Sequence, residues 1–525
     1  MIILSCFIAG QTNERSVQGA FGAVTIDGKI WNQIAIRPVL PFGKLSVALD
    51  LVLYIDQDGN IHEDEWDFSS GEKVKNSLID KIYYIKYGSR SSGNYFRIGA
   101  LDNVTMGDGI LLNGYTNALL YPQVRKVGLE FRTMQFGLTF HGFTNDFKEN
   151  LGLSGIRVSG PIKYGVSVGV SFVGDRNQFL GLKDSDGDFR PDFVDDFPEN
   201  KSYWLDSDYD GLADDDPTEL DRDGDGLPDI ADLTVVHAWW DMLGSTVGYD
   251  FSSEPFYDSI PDNDVVLRDE PLNVKETKEA VRSFALDFGL PLIKDGSITV
   301  NVYSQYAALL GDTWDPESQK KVGLGSGLTP IGVDVKFGPA KLNFEYRLMP
   351  KGKFEFGYFN KSYEMERATF SSMDSESGSL ATKSNQLGYF GKQKGYFSGL
   401  TLDLGSMFDA GMYYQNLNGK KWNDETNHFE ESANQSFSSI LKLTKSISKI
   451  KSANWYYQQR NVPNPFNFEY TETTIMGYNV GVEMANGMIL TYSFRRSFMD
   501  QNGDGDVTDD DDMINMTLIE TSFFF

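Results

Sequence analysis

Hydrophobic and polar residues alternate along much of the chain with a period of two. The alternation is clearest in the segments 44–55, 164–172, 297–305, 341–348 and 488–495. Every second residue of these segments is apolar, and the residues between are mostly small, polar or charged. This pattern is typical of β-strands with one apolar face, and no helical period extends over a comparable length. The sequence therefore predicts an all-β protein.

The lengths of the strands and of their connections indicate which all-β architecture this is. A soluble sandwich or propeller turns the apolar face to a core, whereas a membrane barrel turns it to lipid. The predicted strands are about ten residues long, the length that a tilted strand needs to cross a bilayer. Connections alternate between short turns near 38–43, 89–93, 132–134 and 160–163 and long segments near 56–78, 101–120, 144–152 and from 175. Outer-membrane barrels show this asymmetry, so we predict a transmembrane antiparallel β-barrel.

We predict about 20 strands, at the upper end of a range of about 16–20. Such numbers are typical of large outer-membrane barrels. Counted backwards from the C-terminus, the short turns include 349–352, which places the turn at 338–340 on the side of the long connections. Counted forwards, the same turn lies on the opposite side. One of the two counts therefore assigns a strand wrongly between residues 290 and 390.

Both ends of the sequence carry patterns of an exported membrane protein. One face of the last predicted strand consists of Thr517, Ile519, Thr521, Phe523 and Phe525. A last strand that ends in phenylalanine resembles the signal by which bacterial outer-membrane barrels are recognised for insertion. Residues 1–10 are apolar and precede a polar segment, so we expect the remainder of a secretory signal peptide there. Lipidation of Cys6 is the alternative for this segment.

Composition excludes several other classes of protein. The mean hydropathy is −0.34, and no stretch of about 18 uncharged apolar residues occurs, which excludes a bundle of membrane helices. A single cysteine excludes a disulfide framework, and four scattered histidines disfavour a histidine-ligated metal centre. The net charge of −28 argues against nucleic acid as a partner.

The negative charge is concentrated in two segments. Residues 184–232 contain 19 acidic and three basic residues, a net charge of −16. Residues 500–512 contain seven aspartates and no basic residue, so the rest of the chain carries only −5. A solvated acidic loop is the simplest interpretation of such segments, but it does not require any regular spacing of the aspartates.

Three repeats within residues 184–232 place aspartates at alternate positions. Ca²⁺ takes about six to eight oxygen ligands, and alternate residues of a tight loop aim their carboxylates at one point. The repeats resemble thrombospondin type 3 repeats, which bind calcium and also occur in linkers of some bacterial outer-membrane proteins. In the first repeat Phe189 stands where a glycine is expected, and in the second Pro217 replaces an acidic residue. The predicted calcium ligands are Asp184, Asp186, Asp188, Asp192, Asp195, Asp206, Asp208, Asp210, Asp214, Asp221, Asp223, Asp225, Asp229 and Asp232.

A second calcium site is predicted in residues 500–511. Its spacing matches an EF-hand-like loop with ligands Asp500, Asn502, Asp504, Asp506 and Asp511. Asp511 replaces the usual bidentate glutamate, which should weaken the site. The flanking segments have the pattern of strands, so we expect a hairpin loop. Residues 56–65 match the same calcium-binding spacing less well, and a plain hairpin turn is the favoured interpretation there.

These patterns together predict the organisation of the chain. Residues 11–174 form a first barrel half, 175–278 an extracellular insert with its calcium-binding core at 184–232, and 279–525 a second barrel half. The chain resembles porin-like bacterial outer-membrane proteins that carry thrombospondin type 3-like repeats. This resemblance implies the outer membrane, with the long loops outside.

Two functions remain open at this point. The first is a passive or weakly selective channel, with a lumen lined by Asp50, Asp287, Glu345, Arg347, Glu355 and Arg495. The second is a surface interaction protein, in which calcium-stiffened loops bind a partner protein and the barrel is an anchor. No histidine has the surroundings of a catalytic triad, so we expect no enzyme. The turn Gly107-Asp108-Gly109 lacks a following phosphate-binding lysine, and we expect either a tight turn there or a loop that folds into the lumen as a constriction.

Overall fold

The chain forms two compact units, Met1–Gln178 with Glu279–Phe525 and, separately, Phe179–Lys278. The computed structural model describes residues 16–26, 29–62, 66–90, 93–122, 124–224, 229, 233–254, 267–371, 379–404, 407–499, 506–509 and 512–524. The predicted signal peptide, Cys6 and most of the predicted calcium-binding loop 500–511 lie outside these residues.

The first unit consists mainly of β-strands. Its first half contains β1 Ser16–Ile26, β2 Lys29–Phe42, β3 Leu45–Leu49, β4 Leu51–Ile55, β5 Ile82–Tyr87, β6 Tyr95–Gly99, β7 Gly128–Gln135, β8 Leu138–Thr144, β9 Leu153–Pro161 and β10 Ser167–Asp175. Its second half contains β11 Val281–Asp295, β12 Ile298–Leu310, β13 Asp312–Asp315, β14 Lys320–Gly323, β15 Ser326–Phe337, β16 Ala340–Met349, β17 Ala368–Ser371, β18 Ser379–Thr382, β19 Phe390–Asp403, β20 Phe408–Asn423, β21 His428–Leu443, β22 Ile450–Val462, β23 Ile475–Ala485, β24 Met488–Phe498 and β25 Met513–Phe524. Three helices accompany them: α1 Gly71–Asp80, α3 Tyr363–Glu366 and α4 Lys383–Gln386.

The strands close into one antiparallel barrel. Each strand pairs with the next along the chain, apart from two small hairpins, β13–β14 and β17–β18, that lie in connections. The seam between β1 and β25, in which Val24 faces Leu518, completes the ring. β3 and β4 both pair with β2 and are one strand interrupted at Asp50, so the barrel has 20 strand positions. The predicted fold class and strand count are confirmed.

The period of two in the sequence corresponds to the two faces of the barrel wall. In β16, Leu342, Phe344 and Tyr346 are exposed on the outside, whereas Glu345 and Arg347 are buried inside. The same alternation recurs around the ring, so exposed outward side chains include Val17, Phe21, Ile34, Ile36, Ile156, Phe172, Leu286, Phe288, Ile331, Leu342, Phe344, Met412, Leu441, Trp455 and Ile519. A closed belt of exposed apolar side chains is what a lipid-facing barrel requires.

The two ends of the barrel differ in their connections. At the short-turn end the connections are brief, such as 43–44, 136–137, 296–297, 338–339 and 486–487. The long-loop end carries the segments 56–81, 100–127, 311–325 and 350–389.

The ambiguous turn at 338–340 therefore lies at the short-turn end, as the forward count has it. The backward count was wrong because it took 349–352 for a hairpin turn. A turn does form there, with Gly352 at φ 68°, but the chain then enters a long connection instead of pairing with β16.

The second unit, Phe179–Lys278, has no barrel strand among its described residues. The described residues form turns around the aspartate repeats, the α-helix α2 (Leu233–Val247), whose Trp239 and Met242 are exposed, and a short 3-10 helix at Phe251–Ser253. No helix in the described part of the chain is long and apolar enough to cross a membrane.

Candidate functional site

Two long connections of the first unit fold into the barrel interior, and we call them the inward loops (100–127 and 350–389). They pair with each other, because the amides of Gly357 and Phe359 donate to the carbonyls of Ile110 and Leu111 at 2.8 and 2.9 Å. Their apolar side chains form the largest core cluster, together with inward-facing wall residues such as Val173, Ala285, Ala307 and Leu417. The expectation that the 101–120 loop folds into the lumen agrees with this placement.

A buried set of charges, the Arg367 cluster, attaches the inward loops to the wall. The guanidinium of Arg367 is fully buried and lies 2.6 Å from Asp175 of β10, 2.8 Å from Glu149 and 3.4 Å from Glu364. Lys126 of the first inward loop contacts Glu364 of the second at 2.7 Å. Burial without neutralisation would be costly for each of these ions, so they stabilise one another only in this arrangement.

A second charged group joins the inward loop 350–389 to the opposite part of the wall. Lys383 and Arg460 of β22 both contact the carboxylates of Glu355 and Glu366. Glu355, predicted to line the lumen, lies in the inward loop 350–389 and not on a strand of the barrel wall.

The other predicted lumen residues lie on inward faces of strands or at the β3–β4 break. Asp50 contacts Arg37 and Arg125, each at 2.8 Å, and Asp287 contacts Arg157. The carboxylate of Glu345 accepts from Arg347 and from the hydroxyl of Tyr303, both at 2.7 Å. The last of the six, Arg495, is 1% exposed. The barrel interior is therefore charged but largely neutralised by internal pairs.

Arg367, Lys383 and Arg460 were not predicted from the sequence. Arg367 and Lys383 lie in a connection with no strand period, so no pattern shows that their side chains face the lumen. Arg460 lies on the inward face of β22, and its alternation with Gln458 and Tyr456 could have identified it.

Open space remains on both sides of the inward loops. At the long-loop end, a cavity of about 1090 Å³, the long-loop cavity, is lined by Asp312, Trp314, Lys383, Trp422 and Glu431 among others. Towards the short-turn end, the lumen cavity of about 600 Å³ is bounded by the inward loops and by β12, β15, β16 and β19–β22. A neighbouring cavity of about 510 Å³ shares Asp108 and Tyr303 with it.

Two titratable side chains of the inward loops line these spaces. Burial, together with the carboxylates of Asp287 and Asp334, raises the pKa of Asp108 to about 6. Burial lowers the pKa of Lys361 to about 8, and its ammonium lies 3.8 Å from the ring centroid of Tyr456. The lumen cavity is therefore lined by groups whose charge changes near neutral pH.

In the second unit, two groups of predicted calcium ligands converge, and we call them the Asp ladders. Asp184, Asp186 and Asp188 bring carboxylate oxygens within 4.8 Å of one another, and so do Asp206, Asp208 and Asp210. Such spacing suits several oxygens around one cation, since Ca²⁺–O distances are about 2.3–2.6 Å.

The two ladders share one backbone conformation. Gly211 adopts φ 95°, and Phe189 at the equivalent position adopts φ 80°. A left-handed conformation costs a side-chain-bearing residue about 1–2 kcal/mol, so the first loop closes in the expected way but with strain. Asp192 and Asp214 each accept from the amide and hydroxyl of the serine seven residues earlier, Ser185 or Ser207.

The other predicted ligands do not belong to a ladder of described residues, and six of them lie outside the described residues. Asp195 lies near the first ladder, and burial together with Asp188, Asp186 and Asp192 raises its pKa to about 6. In the third repeat the amide of Arg222 donates to Asp229 at 3.0 Å, while Asp221 and Asp223 are not brought into a ladder of described residues. Asp506 accepts from Thr508. The predicted ligands outside the described residues are Asp225, Asp232, Asp500, Asn502, Asp504 and Asp511.

Comparison with known proteins adds only distant likenesses. No protein-family model and no curated protein matches the chain. Among solved structures, it is similar to Pseudomonas aeruginosa OccK5 (OpdH), with TM-score 0.34 and 7% identity over 97% of each chain. It is also similar to OccK2 (OpdF) in complex with glucuronate from the same organism, with TM-score 0.34 and 8% identity over 98% of this chain and 96% of that one. The outer membrane protein OprD gives TM-score 0.32 and 8% identity over 97% and 94%.

Proposed function

We propose that this chain is a passive or weakly selective channel of a bacterial outer membrane, with surface loops stabilised by calcium. The observation that carries the proposal is the inversion of polarity across a closed barrel wall. Apolar side chains are exposed around the outside, while the inside holds hydrogen-bonded charges and cavities on both sides of the inward loops. Such a wall is stable in lipid, because every strand edge is paired and the polar groups face away from the hydrocarbon.

The test is electrical recording after reconstitution into a planar lipid bilayer. We expect stepwise increases in current of uniform size as single barrels insert. Detergent without protein, treated in the same way, is the control. Reconstituted barrels that produce no current steps would contradict the channel function.

A second candidate function is supported by the inward loops themselves. Their shared core and the Arg367 cluster fill part of the barrel interior, and the insert of about 100 residues is larger than a simple channel needs. In this alternative the barrel anchors a surface protein that binds a partner. Absence of conductance from correctly folded barrels would favour it.

Calcium is the proposed ligand of the Asp ladders. Three carboxylates within reach of one ion repel one another without it, by about 1 kcal/mol per pair at roughly 4 Å even in water. Sites of the extracellular class bind with dissociation constants of about 10⁻⁴–10⁻³ M, so about millimolar calcium would fill them largely.

Calorimetry and limited proteolysis of the full-length protein in detergent test the calcium sites. We expect heat of binding and slower cleavage within Phe179–Lys278 when calcium is added. Combined replacement of Asp206, Asp208 and Asp210 by Asn should remove one site, because the oxygens remain but the charges do not. Glu199→Gln, an exposed residue outside the ladders, is the matched control. No calcium heat at millimolar concentration would contradict the proposal.

A further inference from the structure

The inward surface of the barrel contains tyrosine rings that lie flat on the wall. Each lies over a glycine of the neighbouring strand: Tyr303 over Gly332, Tyr413 over Gly399 and Tyr456 over Gly477. A Cβ atom at Gly332, Gly399 or Gly477 would approach the nearest ring carbon to 2.4, 2.8 or 2.7 Å, so a residue with a Cβ atom would displace the ring from its observed position. The glycines therefore turn ring faces, rather than ring edges, towards the lumen.

One of these rings, that of Tyr413, lies against Phe397 of the neighbouring strand, and we call the pair the aromatic platform (Phe397 and Tyr413). Their planes differ by 11° and their centroids are 6.3 Å apart, so the two rings, on β19 and β20, are parallel and offset. The guanidinium of Arg347 covers Phe397, with its carbon 4.0 Å from the ring centroid. Among the described residues, no lysine or arginine lies over the ring of Tyr413. The ring of Tyr413, which lines the lumen cavity, is thus left uncovered by any described cation.

Short polar side chains border the platform. Ser438 is the register partner of Tyr413 and Ser436 that of Gln415, and all of these residues line the lumen cavity. Asn343 lies beside Gly399 on the other side. Hydroxyl and amide groups of this kind both donate and accept hydrogen bonds.

The charges that line the lumen cavity nearly cancel. Its lining contains five basic side chains, Lys341, Arg347, Lys361, Lys442 and Arg460, and four acidic ones, Asp108, Asp334, Asp409 and Glu345. Several of them are already paired, as Arg347 is with Glu345 at 2.7 Å and Lys341 is with Asp334 at 3.2 Å. An ionic solute would have to compete with these internal partners for each charged group.

We propose that the lumen cavity binds neutral polyhydroxylated ring solutes, such as monosaccharides and disaccharides, with the sugar ring stacked on Tyr413. A sugar ring has C–H groups on its faces and hydroxyl groups around its edge. The face matches an uncovered aromatic ring, and the edge matches the serine and amide groups that border it. The volume of about 600 Å³ lies in the range of small-molecule sites. This inference rests on the proposed channel function and specifies its solute class.

The test is block of the ion current through single reconstituted channels. A neutral disaccharide, maltose, added at increasing concentration should interrupt the potassium chloride current in a saturable way. Glutamate, an anionic amino acid, should block only at concentrations at least tenfold higher. Stronger block by glutamate than by maltose would overturn the proposal.

Three variants locate the site. Tyr413→Ala should raise the half-blocking maltose concentration at least tenfold, and Tyr413→Phe should retain the block because the ring face remains. Tyr396→Ala is the matched control, since Tyr396 lies on the adjacent strand but faces outward and is 40% exposed. Wild-type block by maltose in Tyr413→Ala would overturn the proposal.

The outcomes separate this inference from the proposed function. Channels that conduct potassium chloride but show no maltose block up to several hundred millimolar would overturn the sugar site and leave the channel intact. Correctly folded barrels without any ion current would overturn the channel, and the sugar site with it.

Discussion

Individual side chains of this barrel follow the sequence pattern where they lie on strands and depart from it where they lie in connections. Asp287, Glu345, Arg347 and Arg495 face the interior, as the period of two predicts. Their partners were not predictable in the same way, because a partner depends on the register between strands. Arg367 shows the limit most clearly, since it is fully buried but lies in a segment without periodicity.

Arg367→Ala is expected to detach the inward loops from the wall. The change would leave Asp175, Glu149 and Glu364 buried without their shared cation, and breaking such an arrangement costs about 3–5 kcal/mol. The barrel strands should persist because they rest on other contacts. We expect a larger and noisier single-channel conductance, measured in planar bilayers.

Lys351→Ala is the control for that experiment. Lys351 belongs to the same inward loop, but it is exposed, so its loss should leave the conductance unchanged. Equal conductance in the Arg367 and Lys351 variants would show that the cluster does not hold the loops.

At the scale of elements, strands were predicted well and connections poorly. Strand prediction succeeded because lipid on one side and polar groups on the other force a strict alternation. The backward count failed at 349–352, where Pro350 and Gly352 form a true turn whose following segment packs against the other inward loop. Sequence alone does not distinguish a turn that returns to the sheet from one that enters the lumen.

The calcium-free insert should respond to pH in the opposite direction from the calcium-loaded one. In the folded insert the pKa of Asp195 is raised to about 6, above its usual value near 4. The free energy of unfolding of the insert therefore falls as the pH rises through this interval. With chelator present, cleavage within Phe179–Lys278 should therefore be slower at pH 5 than at pH 7.5.

With calcium present the order should reverse, because protons compete with the ion for the carboxylates. Limited proteolysis at both pH values, with and without calcium, measures both effects. Asp195→Asn should reduce the pH dependence in chelator, and Glu199→Gln should not. The same dependence of the cleavage rate on pH with calcium as with chelator would contradict this account.

At the scale of the whole molecule, the closed ring is expected to determine stability, and the distribution of charge is expected to determine the ion preference of the proposed channel. The closed antiparallel barrel was predictable because strand length, alternation and turn asymmetry all agree on it. The inward loops and their charge clusters were not, since they depend on contacts between segments more than 200 residues apart, such as Tyr115 with Glu364.

Purified protein in detergent should show a strand-dominated circular dichroism spectrum that persists on heating. A closed barrel has no free edge at which unfolding can begin, whereas an open sheet does. The measurement is ellipticity during a temperature scan. A spectrum dominated by helix would contradict the barrel.

The proposed channel should prefer cations weakly. The lining of the long-loop cavity includes eight acidic side chains, Glu279, Asp312, Glu355, Asp424, Glu425, Glu430, Glu431 and Glu472, and three basic ones, Lys321, Lys383 and Lys421. The reversal potential in a potassium chloride gradient should show this preference, and it should weaken at high salt because charges are screened.

Combined Glu425→Gln and Glu431→Gln replacement should reduce that preference. Glu317→Gln, which removes an exposed charge outside this lining, is the control. A preference for anions in the unmodified channel would contradict the prediction.

The seam between β1 and β25 has a consequence for how the molecule is made. It joins segments almost 500 residues apart in sequence, as Val24 and Leu518 show. A chain without β25 cannot complete the ring, because β1 then lacks its second neighbouring strand. Ordering contacts over such distances is slow, and unpaired strands expose apolar surface meanwhile. Until β25 pairs with β1, both strands are free edges to which other chains can add, so closure of this seam is the step that removes the barrel's exposure to aggregation.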